Sequence, residues 1–99
     1  MFWYFYIARC SDNTLYCGVS NNTLKRIIRH NSGRGADWFL RHGRGTIVYQ
    51  EVFGTFEEAR SREAQVKRWS RIKKEKLIKR EYPSARSDKS EFARGKITT

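Results

Sequence analysis

The sequence predicts a small α/β (α+β) domain in which a three-stranded antiparallel sheet is flanked by helices in the order ββαβαα. Aromatic and β-branched runs bounded by turn-forming residues indicate three strands. Segments with helical spacing of apolar residues follow capping residues and indicate three helices. With 99 residues, 38% of them hydrophobic, the chain has material for one small core. We assign residues 1–82 to this domain and residues 83–99 to a flexible basic tail.

The first predicted element is a β-hairpin. Strands at residues 2–9 and 15–20 flank Ser11-Asp12-Asn13, in which Asn13 tolerates the left-handed backbone region. Strict alternation of side chains puts the strand tyrosines and Gly18 on one side, where we expect room for a polar ligand beside the glycine. That side carries Tyr4, Tyr6, Tyr16 and Gly18. The other side is the expected core face and carries Trp3, Phe5, Ile7, Leu15, Cys17 and Val19.

A helix is predicted next, over residues 22–31, with Asn21 and Asn22 as candidate N-caps. Arg26 and His30 are four residues apart and therefore share one face of this helix. The expected apolar stripe lies on a different face and consists of Leu24, Ile27 and Ile28.

The stretch from residue 31 to residue 45 contains four glycines and predicts a loop. An anchored turn at Trp38-Phe39-Leu40 is the local structure expected within it. Residues 46–53 then predict the third strand.

Thr55-Phe56-Glu57-Glu58 matches the capping box that opens a helix, here predicted over residues 56–69. Glu63 falls within the stripe of apolar residues on this helix, and a carboxylate there costs free energy unless something compensates it. Snorkelling of the side chain towards solvent or pairing with Lys67 one turn later would compensate it. Ser70 caps a further basic helix that reaches Lys79 or Arg80. The stripe around Glu63 comprises Phe56, Ala59 and Val66.

The charge is strongly positive. Lys and Arg number 21 against 10 Asp and Glu, a formal net charge of +11 at pH 7. Such an excess favours a polyanionic partner, with DNA, RNA and an anionic membrane surface as the options. No run approaches the roughly 20 apolar residues that span a bilayer, and no signal peptide is recognisable.

Two cysteines, Cys10 and Cys17, are too few for a disulfide framework. His30 and His42 lie too far apart for the usual closely spaced zinc pair. We therefore expect reduced thiols and a cytoplasmic protein.

Several motifs in fixed order resemble those of the GIY-YIG nuclease family, especially its small stand-alone bacterial members. The two-tyrosine signature reads Tyr4-Phe5-Tyr6 and Tyr16-Cys17-Gly18, with Arg26 and His30 ten and fourteen residues after Tyr16. Glu63 matches the metal-binding glutamate of the family. The resemblance covers residues 4–79. Tyr4 stands where the family has its first glycine, Cys17 replaces the isoleucine of the second signature, and a late asparagine has no counterpart.

The resemblance implies a role for each of these residues. Glu63 would ligate one divalent ion, Mg²⁺ or Mn²⁺, Arg26 would hold the scissile phosphate, and Tyr16 would orient or deprotonate the attacking water. Tyr6 would support Tyr16 by hydrogen bonding, His30 would position or relay a proton, and Gly18 would leave space for the phosphate. Nearby cations would have to lower the pKa of Tyr16 for it to act as base. The implied catalytic set is Tyr6, Tyr16, Gly18, Arg26, His30 and Glu63.

The function expected from the whole sequence is a metal-dependent endonuclease acting on nucleic acid, DNA in the first place, of the repair or recombination type. We expect no membrane association and no obligate protein partner. Trp38 or Trp69 would stack on an unpaired base or else pack in the core. The alternatives are a non-catalytic nucleic-acid-binding module on the same fold and a domain that binds an acidic protein. The expected nucleic-acid-binding surface consists of Arg34, Arg41, Arg44, Lys67, Arg68, Arg71, Lys73 and Lys74.

Overall fold

Residues 1–81 are described by the structure, a computed structural model, and they confirm the predicted sheet and its flanking helices. The proposed basic tail lies outside these residues. One element differs from the prediction: the glycine-rich stretch contains a short helix where a loop with an anchored turn was expected. In chain order the elements are β1 (Trp3–Cys10), β2 (Leu15–Ser20), α1 (Thr23–Asn31), α2 (Trp38–His42), β3 (Gly45–Phe53), α3 (Phe56–Lys67) and α4 (Arg71–Ile78).

β1 is the central strand of the antiparallel sheet, in the order β2-β1-β3. Because helices cover both faces, four consecutive residues of β1, from Phe5 to Ala8, are fully buried. One face, with Tyr6 and Ala8, packs against Ile27 of α1 and Phe39 of α2. α3 contacts the sheet as well. The expectation that the tyrosine side of β1 is open to a polar ligand is therefore wrong for Tyr6.

Short-range signals set the boundaries of most elements. Asn13 has a φ of 73°, as the hairpin required. Asn22, Thr55 and Ser70 each accept a hydrogen bond from the backbone N–H three residues later, at 3.0, 3.2 and 3.2 Å. The predicted caps of all three long helices are confirmed.

The expected apolar stripe of α1 is wrong in two of its three residues. Leu24 is 70% exposed and Ile28 is 60% exposed, whereas Ile27 and His30 are buried. Ile27 and His30 are three residues apart and form one narrow face. That face packs on Gly45 and Phe39. α1 therefore packs on the sheet through Ile27 and His30 and not through a full apolar stripe.

The contacts divide the chain into two units, residues 1–68 and a segment that begins at Trp69. The three strands and α1 to α3 belong to the first unit. In the second, α4 follows Ser70, and the Lys73 ammonium lies 4.3 Å from the centre of the Trp69 ring. Within residues 1–81, no helix combines the length and the apolar character needed to cross a membrane.

Candidate active site

The centre of the candidate site is Tyr6, in the middle of β1. Tyr6 pairs directly with Gly18 of β2 in the sheet, and its phenol ring lies across that glycine. A Cβ added at Gly18 would lie 2.5 Å from the Tyr6 hydroxyl oxygen, closer than non-bonded atoms approach. The prediction that Gly18 leaves space for a phosphate is thus corrected: the Tyr6 side chain fills that space.

His30, on the buried face of α1, forms a hydrogen bond with the Tyr6 hydroxyl. Its Nε2 lies 3.0 Å from the Tyr6 oxygen, and its Nδ1 accepts a hydrogen bond from the Ala36 backbone N–H, also at 3.0 Å. The imidazole stacks on Phe39 with ring centres 4.2 Å apart. Burial, with the positive charge of Arg26 and then of Arg29, lowers the pKa of His30. His30 is therefore neutral at pH 7.

Tyr16 is the more accessible tyrosine of the pair. It is half-buried, and its ring makes T-shaped contacts with the His30 and Phe39 rings, with centres 5.4 and 4.9 Å apart. Its ring centre is 6.4 Å from that of Tyr6. Trp38 packs beside it at 6.1 Å, so this tryptophan is part of the aromatic packing.

Burial acts on the pKa of both tyrosines in the same direction. Burial is the main cause that raises the pKa of Tyr6, followed by the neighbouring Tyr16, and Arg26 opposes the shift. Burial also raises the pKa of Tyr16, against the opposing charges of Lys67 and Arg26. The cations do not outweigh burial at Tyr16 in the protein alone, contrary to what its role as base would require.

Glu63 lies on α3 at the margin of the same cluster. Its side chain is 14% exposed, and its two oxygens lie 3.7 Å from Arg60 Nε and 3.4 Å from Lys67 Nζ. Its negative charge raises the pKa of both Tyr6 and Tyr16, so it acts on the tyrosines through space. The predicted pairing with Lys67 is present.

The chemistry of Glu63 fits one ligand of a divalent ion whose remaining positions would be filled by substrate and water. Among residues 1–81, no three His, Cys, Asp or Glu side chains cluster to form a metal cage. Mg²⁺ is commonly held by one or two carboxylates, with phosphate oxygens and waters in the remaining positions. One largely buried carboxylate beside two cationic side chains matches that donor set, although Arg60 and Lys67 compete for its oxygens.

A cationic pocket adjoins the cluster at Arg26, and sequence reasoning missed it. The pocket has a volume of about 190 Å³, and Lys25, Arg26 and Arg29 line it. Within the described chain, no carboxylate forms a salt bridge with any of these three side chains. The signal available in the sequence was their spacing, since residues 25, 26 and 29 adjoin on one side of a helix.

The other predicted nucleic-acid-binding residues occupy varied surroundings. Lys67 lies close enough to Tyr16 to act on its pKa. Arg71 is ion-paired with Glu75 at 2.9 Å. Three exposed arginines lie in α2 or in the loops beside it: Arg34, Arg41 and Arg44. Phe39 of the same helix packs on Tyr16. Arg68 is exposed as well, whereas Lys73 and Lys74 are half-buried.

A buried ion pair between α3 and β3 is the second feature that the sequence analysis missed. Arg62 of α3 donates to both carboxylate oxygens of Glu51 on β3, at 3.0 and 3.2 Å. The Tyr49 hydroxyl donates to the same carboxylate at 2.6 Å, and Arg62 also donates to Gln65 at 2.7 Å. Alternation along β3, which puts Tyr49 and Glu51 on one face, was the signal that could have revealed it.

Fold and site together define a small α+β domain organised around a two-tyrosine hairpin. The sequence matches the model of the GIY-YIG catalytic domain over residues 2–76, and the chain therefore belongs to the GIY-YIG family. The family resemblance predicted from the motifs is confirmed.

Small bacterial proteins are among its relatives. The chain is 47% identical over 75 residues to UPF0213 protein SSP2268 of Staphylococcus saprophyticus, covering 76% of this chain and 92% of that protein. It is 44% identical over 75 residues to UPF0213 protein CPE1444 of Clostridium perfringens, covering 76% and 81%. The solution NMR structure of UPF0213 protein BH0048 from Bacillus halodurans has a TM-score of 0.52 and 38% identity, covering 80% of this chain and 84% of that one.

Proposed function

We propose that this protein is a divalent-metal-dependent endonuclease that hydrolyses phosphodiester bonds in nucleic acid, DNA in the first place. The observation that supports this most strongly is the unequal tyrosine pair. Tyr6 is fully buried, whereas Tyr16 is half-buried; the charges of Arg26 and Glu63 act on both tyrosines, and that of Lys67 acts on Tyr16. Two titratable groups held in unlike environments are typical of acid–base chemistry.

The proposed roles follow from the different burial of Tyr6 and Tyr16. Tyr16 is the less buried tyrosine and the one on which Lys67 acts, and it serves as the base for the attacking water once further positive charge at the site lowers its pKa. Arg26, with its planar guanidinium, holds the scissile phosphate. Lys25 and Arg29 line the pocket next to Arg26 and bind the adjoining backbone phosphate.

Glu63 would hold the metal ion, Mg²⁺ or Mn²⁺. When bound, such an ion offsets negative charge on the phosphate oxygens and on the leaving oxygen. Lys67, which already lies beside Glu63 and acts on Tyr16, adds a second positive charge at the same place.

The test is cleavage of a small panel of substrates with and without Mg²⁺: supercoiled plasmid, flap, four-way junction and single-stranded RNA. We expect metal-dependent cleavage by the natural protein and its loss in Glu63→Ala, because the variant lacks the carboxylate ligand. Arg60→Ala, which removes an exposed neighbour of Glu63, is the matched control and should retain activity. Undiminished cleavage by Glu63→Ala would contradict the metal role.

We expect Arg29→Glu to weaken DNA binding and to flatten its salt dependence. Each lost phosphate contact lowers the slope of log K against log salt by about 1. Fluorescence anisotropy between low and physiological salt measures both quantities. Lys79→Glu, an exposed site with the same change of charge, is the control. Equal slopes for the two variants would exclude a phosphate contact at Arg29.

The alternative is a nucleic-acid-binding module without cleavage, and the two ion pairs of Glu63 favour it because they already compensate the carboxylate. Salt-sensitive binding with no cleavage of any substrate at any metal concentration would support this reading. Equal binding to an acidic peptide of the same charge would instead indicate a protein partner.

A further inference from the structure

The hydrogen bonds around His30 fix which of its nitrogens carries the proton. The Ala36 backbone N–H can only donate, so His30 Nδ1 must present its lone pair to it. A neutral imidazole then carries its hydrogen on Nε2. The bond of 3.0 Å to Tyr6 consequently runs from His30 Nε2–H to the Tyr6 oxygen.

This polarity leaves Tyr6 with an unused proton. Its oxygen accepts from His30, and the Arg26 guanidinium lies close enough to lower the Tyr6 pKa. Within residues 1–81, no acceptor takes the Tyr6 hydroxyl proton. Because Tyr6 is fully buried, a hydroxyl without an acceptor is costly unless a bound group supplies one.

We propose that the Ala36 amide is a positioning group that fixes the tautomer of His30 and so makes Tyr6 a hydrogen-bond donor to the oxygen that becomes negative in the reaction. This inference rests on the proposed function. His30 then cannot relay a proton, because its one lone pair is occupied by Ala36 and its one hydrogen by Tyr6. The negative oxygen is that of the Tyr16 phenolate, which gains from a neutral donor nearby, and the Tyr16 ring centre lies 6.4 Å from that of Tyr6.

The surroundings of His30 support a fixed orientation. Phe39 lies nearly parallel to the imidazole, with an angle of 12° between the ring planes. Gly35 sits directly against Nδ1, where an added Cβ would collide with the ring and with the His30 backbone. The segment that delivers the Ala36 amide can therefore approach only because residue 35 has no side chain.

A spectroscopic test needs no substrate. The two-bond ¹H–¹⁵N correlation spectrum of the natural protein at neutral pH should show His30 in the neutral, Nε2-protonated form. Ala36→Pro removes the N–H donor, so its spectrum should gain the Nδ1-protonated form. Ser32→Ala, which removes a hydroxyl bond to Arg29 in the same segment, should leave His30 unchanged. An Nδ1-protonated or doubly protonated His30 in the natural protein would overturn the proposal.

Cleavage by two His30 variants gives a second test. The amide of His30→Gln can place an N–H near the position of Nε2, whereas that of His30→Asn is too short. We expect the glutamine variant to keep activity within about tenfold, and the asparagine variant to lose about 10²-fold, as for loss of a positioned proton donor. Equal losses would indicate a proton relay and overturn the proposal. A natural protein that cleaves nothing would refute the nuclease function, and the spectrum would then decide the tautomer by itself.

Discussion

Replacement of Tyr16 with phenylalanine is expected to reduce cleavage by about 10³-fold, within the range that general bases contribute. The phenylalanine keeps the ring that packs on His30 and Phe39, so the fold and the affinity for DNA should change little. Single-turnover cleavage with saturating protein separates the chemical step from binding. Anisotropy on the same substrate measures the affinity.

The pH dependence distinguishes a base from a packing residue. Burial raises the pKa of Tyr16, so the neutral form predominates at pH 7 and the phenolate fraction grows as the pH rises. The cleavage rate of the natural protein should therefore increase with pH above neutrality, and this increase should be absent in Tyr16→Phe. Tyr4→Phe, which makes the same change at another tyrosine of the hairpin, is the control and should keep the full profile. A Tyr16→Phe variant with more than a tenth of the natural rate would rule out Tyr16 as base.

The elements predicted correctly are those set by short-range chemistry. The N-caps at Asn22, Thr55 and Ser70 each satisfy a backbone N–H three residues away, and Asn13 supplies the left-handed turn. These interactions involve neighbours along the chain, so the residue types alone indicate them. The family motifs were equally visible, because their order and spacing are properties of the sequence.

What the sequence did not reveal depends on which elements meet in space. Alternation assigned Tyr6 to an open side of the hairpin, but β3 joins the far edge of β1 and α1 covers the tyrosine face. Likewise, Leu24 and Ile28 have the spacing of a core stripe, yet α1 meets the sheet through Ile27 and His30. Nothing local in the sequence specifies either arrangement. The Ala36–His30–Tyr6 hydrogen bonds depend on the same assembly.

Replacement of Arg62 with alanine is expected to destabilise the protein by about 3–5 kcal/mol, the usual result of removing one partner of a buried ion pair. The Glu51 side chain is only 3% exposed, and without Arg62 this buried carboxylate loses its ion-pair partner while it still accepts from the Tyr49 hydroxyl. Against a typical stability of about 5–15 kcal/mol, this loss is a large fraction of the whole. Urea denaturation at pH 7 measures it.

Two variants separate the buried charge from the loss of packing. Arg60→Ala removes a 65% exposed partner of Glu63 on the same helix and should cost less than about 1 kcal/mol. The double variant Glu51→Met, Arg62→Leu removes both charges and should recover most of the stability, because an apolar pair of similar volume needs no compensation. A loss below about 1 kcal/mol in Arg62→Ala would contradict this account. Because Arg62 directly precedes Glu63, the ion pair also fixes the segment of α3 that presents the Glu63 carboxylate to the tyrosine pair, and its loss should reduce cleavage even where the variant remains folded.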